Sequence, residues 1–212
     1  QAAEVFVTKL LPADLARIGS FSNRVQVDPR TFTNSREELL TILHRDLQEP
    51  GPTPLWNAVS VGMTALLHQD GRRVVLAFTD GMDRPGNNRN TNMSVGDIIK
   101  RAREENVMVY AIGLASAGRG GGGYGGRGGR GGRPGMADKP DPGLAKVAAE
   151  SGGGYFELDS TANLSATFAR VADEGLMDRY AALGPDAAPV NSPLEFLAFC
   201  GVLGFGRLMA EG

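Results

Sequence analysis

Residues 73–79 read RVVLAFT and are followed at once by Asp80 and Gly81. This is an almost unbroken apolar run, which is typical of a parallel strand buried on both faces of a sheet. A second such run, VMVYAIG, occupies residues 107–113. The two runs predict the centre of a parallel sheet, and they put Asp80 at the carboxyl end of a central strand, where open sheets of this kind hold their functional crevice.

Amphipathic helices separate the predicted strands. Ser35 with Glu38 three residues later matches a capping box, Thr53 before Pro54 matches a helix N-cap, and Ser94 matches another. Strands that alternate with helices of 10–15 residues indicate βαβ units. Right-handed crossovers then place helices on both faces, so the sequence predicts an α/β, doubly wound, mostly parallel sheet.

The segment before the central run predicts the other side of the sheet. Residues 15–21, LARIGSF, read as a buried strand, and residues 24–28, RVQVD, alternate like an edge strand. We expect Pro29 to end that edge strand, because proline cannot donate a ladder hydrogen bond.

Composition divides the chain into one domain with two irregular parts. Residues 1–184 carry the α/β pattern, whereas residues 115–137 contain 12 glycines, four arginines and no acid. Such a stretch buries too little apolar surface to offset the entropy of ordering, so we interpret it as a disordered insert. Residues 185–212 lose the pattern and form a tail whose structure the sequence leaves open.

The net charge and the small numbers of cysteine and histidine exclude several kinds of partner and metal site. The 212 residues carry 22 basic and 24 acidic side chains, a net charge of −2, so no global field favours nucleic acid or an anionic membrane. One cysteine and two histidines exclude a cysteine-based zinc site and an internal disulfide. Any metal would need oxygen ligands, which favours Mg²⁺, Ca²⁺ or Mn²⁺.

Signals for catalysis, secretion and membrane insertion are weak. No serine lies in a Gly-x-Ser-x-Gly setting and no nucleophile–base pair stands out, so we expect a protein without enzymatic activity. No signal peptide is visible in this chain. The apolar run at residues 196–205 is ten residues long, and a spanning helix needs about 20, so we expect no membrane span here.

Two segments together resemble the von Willebrand factor type A domain, in particular its bacterial, secreted group. They are PGPTPLWNAV, which contains Thr53, and VVLAFTDGMD, which contains Asp80. ARIGSFSNRVQV, VMVYAIG and LAKVAAESGGGYFELDSTANLSATFARVADE support the likeness, which covers residues 2–184. The resemblance implies that the chain lacks the family's first, central strand, so that the sheet would contain a gap.

The resemblance also implies a metal-ion-dependent adhesion site. Family members build it from an Asp-x-Ser-x-Ser loop, a threonine loop and an aspartate loop, and the matching residues are Thr53 and Asp80. Asp-x-Ser-x-Ser is absent from this chain, so the site is incomplete. We expect Mg²⁺, or Ca²⁺ or Mn²⁺, to bind in a full-length protein that carries this loop, and to bind this chain weakly or not at all.

The implied function is a non-enzymatic protein-interaction or adhesion domain. Its protein ligand would supply a carboxylate to the ion, and contacts would extend to Asp83, Asn87 and Asn88 in the polar loop 82–93. The family implies a secreted, periplasmic or cell-surface location. From the residues alone, we favour a turn pair for Asp80–Gly81 and a solvated carboxylate for Asp83, and Thr53 is equally well explained as a helix cap.

The glycine- and arginine-rich insert suggests an alternative function. It resembles the RGG segments of RNA-binding proteins, since arginines can contact phosphates and an aromatic ring can stack on bases. The opposing interpretation is a tolerated low-complexity loop, because added loop length costs little. We expect the loop, and no nucleic-acid partner; the alternative would use Arg119, Tyr124, Arg127, Arg130 and Arg133.

Overall fold

The computed structural model describes residues 2–22, 24–45, 54–79, 82–83, 93–115, 140–158, 161–181 and 194–201. Helices and strands alternate along most of this length, as the sequence predicts. In chain order they are α1 (Ala2–Lys9), β1 (Leu15–Phe21), β2 (Val25–Thr33), α2 (Arg36–Arg45), α3 (Leu55–Leu66), β3 (Arg72–Thr79), α4 (Val95–Glu104), β4 (Val107–Leu114), α5 (Gly143–Ser151), β5 (Tyr155–Leu158), α6 (Leu164–Ala181) and β6 (Leu194–Gly201).

The strands form one sheet in the order β2-β1-β6-β3-β4-β5. Every neighbouring pair is parallel except β1 and β2, so β2 is an antiparallel edge strand. This architecture confirms the predicted α/β class and its mostly parallel sheet. Among the described helices, none is long and apolar enough to cross a membrane.

Two hydrophobic cores lie on the two faces of the sheet. One packs β-strand residues against α1, α2 and α6, and the other packs them against α3, α4 and α5. Within β3, Val74, Leu76 and Phe78 belong to the first core, whereas Val75 and Ala77 belong to the second. The run RVVLAFT is therefore apolar at successive positions because both faces of this strand are buried, as the sequence predicts.

The central position of the sheet is occupied, where we expected a gap. Strand β6 pairs in parallel with β1 from Leu15↔Glu195 to Phe21↔Gly201, and with β3 from Arg72↔Leu194 to Phe78↔Cys200. The expectation of a vacant position was wrong because part of the tail is a strand. Its sequence, LEFLAFCG, is apolar at nearly every position, as a strand between two parallel neighbours requires.

Strand β2 continues through Pro29, so the prediction that this proline ends the strand was wrong. The ladder with β1 pairs Ile18 with Asp28 and Ala16 with Thr33, with an irregularity between the two pairs. Arg17 donates hydrogen bonds to the carbonyl oxygens of Pro29 (2.6 Å) and Val27 (3.3 Å). Proline is tolerated because β2 is an edge strand and the ladder is interrupted there.

Two of the predicted helix caps are present in the described residues. Ser35 Oγ accepts a hydrogen bond from the Glu38 N–H, and Ser94 forms a reciprocal capping box with Asp97 at the start of α4. For α3 the N-cap position falls on Pro54. The predicted cap residue, Thr53, lies outside the described residues.

The capping box of α4 predicts a pH-dependent contribution to stability. The Asp97 carboxylate accepts hydrogen bonds from the Ser94 hydroxyl (2.6 Å) and backbone N–H (3.1 Å), and these bonds lower the pKa of Asp97. The folded state therefore binds fewer protons, so the stabilisation is present above the ordinary value of 3.8 and is lost as the pH falls through the lowered pKa. Asp97→Asn should destabilise the protein at pH 7, and this difference should shrink as the solution is acidified.

Urea unfolding at a series of pH values measures this difference. Glu104→Gln is the matched control, because Glu104 is an exposed carboxylate on the same helix and lies 3.9 Å from Lys100. A difference between the unsubstituted protein and Asp97→Asn that stays constant across the acid range would refute the titration argument.

Candidate functional site

Five parallel strands end at a common edge of the sheet. The register pairs Phe21 with Gly201, Phe78 with Cys200, and Thr79 with Gly113. The carboxyl ends of β1, β6, β3, β4 and β5 therefore lie at the same edge of the sheet. This carboxyl edge is the place where open α/β sheets bind their ligands.

The loop after β3 returns to the start of α3 through Asp83. The Asp83 Oδ1 atom lies 3.5 Å from the backbone nitrogen of Trp56, in the first turn of α3. This N–H is one of the four that a helix leaves without an intrahelical acceptor, and a carboxylate near a helix N-terminus is stabilised by the helix dipole. Asp83 is thus half-buried and hydrogen-bonded, in contrast to the fully solvated carboxylate that the sequence allowed.

Asp141 joins the same loop to the start of α5. Its Oδ2 atom accepts a hydrogen bond from the Asp83 N–H (3.1 Å), and its Oδ1 atom accepts one from the Gly143 N–H (2.8 Å). Asp141 is 8% exposed, so both of its carboxylate oxygens are used by protein donors in a nearly buried setting. The loop after β3 is therefore fixed to two helix N-termini.

The far end of this loop is also attached to α3. The Asn57 Oδ1 atom accepts a hydrogen bond from the Met93 N–H at 3.0 Å. Residues 83 and 93 thus contact neighbouring residues of the first turn of α3, Trp56 and Asn57. The described residues on either side of residues 84–92 are therefore both attached to the N-terminal turn of α3.

The predicted site residues fall on and around these anchors. Thr53, Asp80, Asn87 and Asn88 lie outside the described residues, and so do the five residues of the nucleic-acid alternative, Arg119, Tyr124, Arg127, Arg130 and Arg133. Asp83 is the one described member of the set. Asp83 lies three residues after Asp80, and its donor Trp56 lies three residues after Thr53. The hydrogen bond between them therefore joins the two segments that carry the predicted metal ligands.

The donor set does not make a complete magnesium site. Mg²⁺ requires a near-octahedral shell of oxygen ligands, and the predicted ligands Thr53 and Asp80 would supply only one hydroxyl and one carboxylate. Strand β6, which occupies the central position, reads LEFLAFCG and ends without the aspartate and serines of the family's first loop. Within the described ranges, no group of three His, Cys, Asp or Glu side chains could hold a metal ion.

Gly143 is required by the packing behind the site. A Cβ atom at this position would lie 2.6 Å from Trp56 Cζ2, 2.7 Å from Val95 Cγ2 and 2.9 Å from Asp141 Oδ1. The first residue of α5 must therefore lack a side chain if Trp56 is to stay in its buried position.

We expect Gly143→Ala to destabilise the protein by about 1–3 kcal/mol, the usual cost of overpacking a rigid site. Gly96→Ala is the matched control, since Gly96 also lies in a first helical turn and its nearest neighbour to a Cβ would be Ser94 Oγ at 3.7 Å. That control should be neutral or stabilising by up to about 1 kcal/mol. Equal effects of the two substitutions in urea unfolding would contradict the packing argument.

Sequence reasoning missed the roles of Asp141 and Asn57. The pair Asp141-Pro142 is typical of the start of a helix, and α5 begins two residues after Asp141. The bond from the Asp83 N–H to Asp141, 58 positions away, leaves no local signal. Asn57 lies within a predicted helix, where its amide would be expected to face solvent.

Solved structures with the same fold include three bacterial proteins. A von Willebrand factor type A protein from Catenulispora acidiphila superposes with a TM-score of 0.58 at 14% identity, over 81% of this chain and 36% of that one. The conserved hypothetical protein BatB from Bacteroides thetaiotaomicron superposes with a TM-score of 0.56 at 15% identity, over 83% of this chain and 85% of BatB. An aerotolerance-related membrane protein from Bacteroides fragilis superposes with a TM-score of 0.53 at 16% identity, over 82% of this chain and 87% of that protein.

No family model and no curated protein sequence matches the chain. The chain spans about a third of the length of the Catenulispora protein. At identities of 14–16%, the structural likenesses establish the fold: a doubly wound sheet of the von Willebrand factor type A kind.

Proposed function

We propose that this von Willebrand factor type A-like domain is a non-enzymatic protein-interaction domain, and that its partner binds at the carboxyl edge of the sheet. The binding surface comprises Thr53, Asp80, Asp83, Asn87 and Asn88. The observation that carries the proposal is the pair of hydrogen bonds at Asp83, which tie the loop after β3 to the starts of α3 and α5.

These bonds support a binding role because they fix polar groups in advance. A partner that docks on preordered groups loses less conformational entropy than one that must order a free loop. Asp83 and Met93, on either side of the polar segment, are each held by a hydrogen bond to a neighbouring element. Loops held in this way on a stable scaffold commonly carry binding function.

We propose that partner binding by this chain depends weakly or not at all on a divalent cation. One hydroxyl and one carboxylate leave most of the Mg²⁺ shell to water, and the end of β6 adds no oxygen side chain that matches the family's loop. We expect partner binding to depend strongly on a divalent cation only in a protein that carries the Asp-x-Ser-x-Ser loop. In such a protein the ion would bind Thr53 and Asp80, and a partner carboxylate would replace a bound water.

The comparisons suggest where the domain acts. One neighbour is described as an aerotolerance-related membrane protein, and the fold is shared with BatB. We propose a secreted, periplasmic or cell-surface location for the protein from which this chain comes.

Affinity capture with matched variants tests the proposed surface. The immobilised chain, Asp80→Ala, and the control Glu104→Ala are incubated with an extract of the source organism, with Mg²⁺ and with a chelator. Glu104 is exposed at the end of α4, at the opposite edge of the sheet. We expect a protein that the unsubstituted chain and Glu104→Ala retain, that Asp80→Ala retains at least tenfold less, and that the chelator hardly affects. Recovery of every protein equally by all three baits would overturn the proposal.

A further inference from the structure

The guanidinium of Arg72 is directed at the sulfur atom of Met108. Its Nε and Nη2 atoms lie 3.1 and 2.8 Å from Met108 Sδ, and both N–H groups donate to the sulfur. The two side chains come from neighbouring strands, since Val74 of β3 is in register with Met108 of β4, and Arg72 precedes Val74 by two positions on the same face of the sheet. The contact lies at the amino-terminal ends of β3 and β4, at the opposite end of these strands from the candidate site.

A thioether sulfur is a poor acceptor for a guanidinium. Methionine sulfur accepts hydrogen bonds weakly, whereas bonds from a charged donor to oxygen are among the strongest in proteins. Other arginines of the domain donate to oxygen: Arg17 and Arg73 bind backbone carbonyls, and Arg101 binds a carboxylate. Arg72 therefore directs two charged N–H groups at a place where an oxygen atom would be bound more strongly than the present sulfur.

Oxidation of Met108 by a peroxide supplies such an oxygen. The sulfur lone pair attacks one oxygen of hydrogen peroxide, an S–O bond forms and the O–O bond breaks. The proton of the attacked oxygen passes to the departing hydroxide, which leaves as water, so the sulfur loses two electrons and the peroxide gains them. The product, methionine sulfoxide, is polar, and methionine sulfoxide reductases return it to methionine.

Met108 is accessible enough for a small oxidant to reach it. It is the second residue of β4, it is half-buried, and it packs against the core formed with α1, α2 and α6. Two other methionines give the limits of exposure: Met63 on α3 is 0% exposed and Met82 is 42% exposed. A sulfoxide commonly disrupts the core around it, but at Met108 two hydrogen-bond donors already point at the sulfur.

We propose that Met108 is a site of reversible oxidation by peroxides, and that Arg72 binds the oxygen of its sulfoxide. The oxygen accepts the Arg72 N–H groups that the sulfur accepts in the reduced protein. The domain therefore keeps its fold when Met108 is oxidised, whereas the same change at a core methionine without such donors would destabilise it. None of the residues of the proposed binding surface takes part, so partner binding and oxidation at Met108 can each fail without the other.

Peptide mapping by mass spectrometry tests whether Met108 is oxidised in the folded chain. After treatment with hydrogen peroxide under native conditions, we expect sulfoxide to form at Met108 about tenfold or more faster than at the buried Met63, with the exposed Met82 as the upper reference. Methionine sulfoxide reductase should return Met108 to the thioether. Oxidation of Met108 no faster than that of Met63 would overturn the proposal.

A double-mutant cycle tests whether Arg72 binds the added oxygen. Met108→Gln imitates the sulfoxide, because glutamine is unbranched and carries a carbonyl oxygen, and Arg72→Leu removes the donors. Urea unfolding of the unsubstituted chain, both single variants and the double variant gives the coupling between the two positions, from which the other interactions of Arg72 cancel. We expect Met108→Gln to raise the unfolding equilibrium constant about tenfold or more further in the Arg72→Leu chain than in the unsubstituted chain.

Arg73→Leu gives the matched control cycle. Arg73 is the next residue of β3, and its Nη1 atom donates to the Glu105 carbonyl oxygen at 2.9 Å. The effect of Met108→Gln should therefore be the same with and without Arg73. No coupling in the Arg72 cycle, or equal coupling in the two cycles, would overturn the proposal.

The oxidised chain itself provides a readout if Arg72→Leu does not fold. A partly oxidised sample of the unsubstituted chain is brought to its urea midpoint and exposed to a short pulse of protease, which digests the unfolded molecules. We expect sulfoxide at Met108 to be as abundant in the surviving folded protein as in the starting sample. Depletion of this sulfoxide from the folded protein would equally overturn the proposal.

Discussion

Leu197→Pro is expected to destabilise the fold by about 3 kcal/mol or more, which is the largest effect of any single substitution considered. Leu197 is at the middle of β6, in register with Arg17 on one side and Val75 on the other. Proline removes a ladder donor and leaves its acceptor unpaired inside the sheet, at a cost of about 1–3 kcal/mol, and its ring adds a steric cost. Against a total stability of about 5–15 kcal/mol, this change should lower the unfolding midpoint substantially.

Thr31→Pro is the matched control for this substitution. Thr31 is exposed on the edge strand β2, within the irregular stretch between the pairs at Asp28 and Thr33. Thr31→Pro should lower the free energy of unfolding by well under about 1 kcal/mol, because proline is accepted at edges and bulges of sheets. Urea unfolding that gives both variants the same midpoint would mean that residues 194–201 are not the central strand.

Asp141→Ala is expected to lower the free energy of unfolding by about 2–3 kcal/mol, which is the second largest effect. The substitution removes the acceptor of two backbone N–H groups, those of Asp83 and Gly143, at a nearly buried position. Hydrogen bonds to a charged group contribute about 1.5–3 kcal/mol. The loop after β3 should also open, so the Asp83 amide should exchange faster with solvent.

Asp141→Asn separates the two roles of this carboxylate. Its amide oxygen can still accept from the Gly143 N–H, while its NH₂ group would face the Asp83 N–H, a second donor. The stability loss should therefore be intermediate, while amide exchange at Asp83 rises almost as much as in Asp141→Ala. Unchanged exchange at Asp83 in both variants would show that Asp141 does not hold the loop.

Local signals in the sequence predicted most elements of this fold. The apolar run at 73–79 is buried on both faces, and the capping patterns at Ser35 and Ser94 mark real helix starts. These features depend on neighbours within four residues, which periodicity and capping rules describe well. The same rules located the carboxyl edge of the sheet, and with it the region of the candidate site.

What the sequence did not predict depends on distant partners. Residues 194–201 form a strand because β1 and β3 leave room for one, and no pattern within the tail specifies that position. Strand β2 continues through Pro29 because it is an edge strand whose ladder with β1 is interrupted there, and Arg17 donates hydrogen bonds to the Pro29 and Val27 carbonyl oxygens. The bond between Asp83 and Asp141 joins residues 58 positions apart. In each case tertiary contacts override or add to the local preference.

The proposed site depends most on Thr53 and Asp80 lying side by side at the carboxyl edge, and an engineered Zn²⁺ site measures this directly. In a chain with Thr53→His and Asp80→His, two imidazoles at one place would bind Zn²⁺ together. We predict that the double variant binds Zn²⁺ at least tenfold more tightly than either single variant, all of which retain His44 and His68. Zn²⁺ affinity in the double variant no greater than in the single variants would contradict the proposed site.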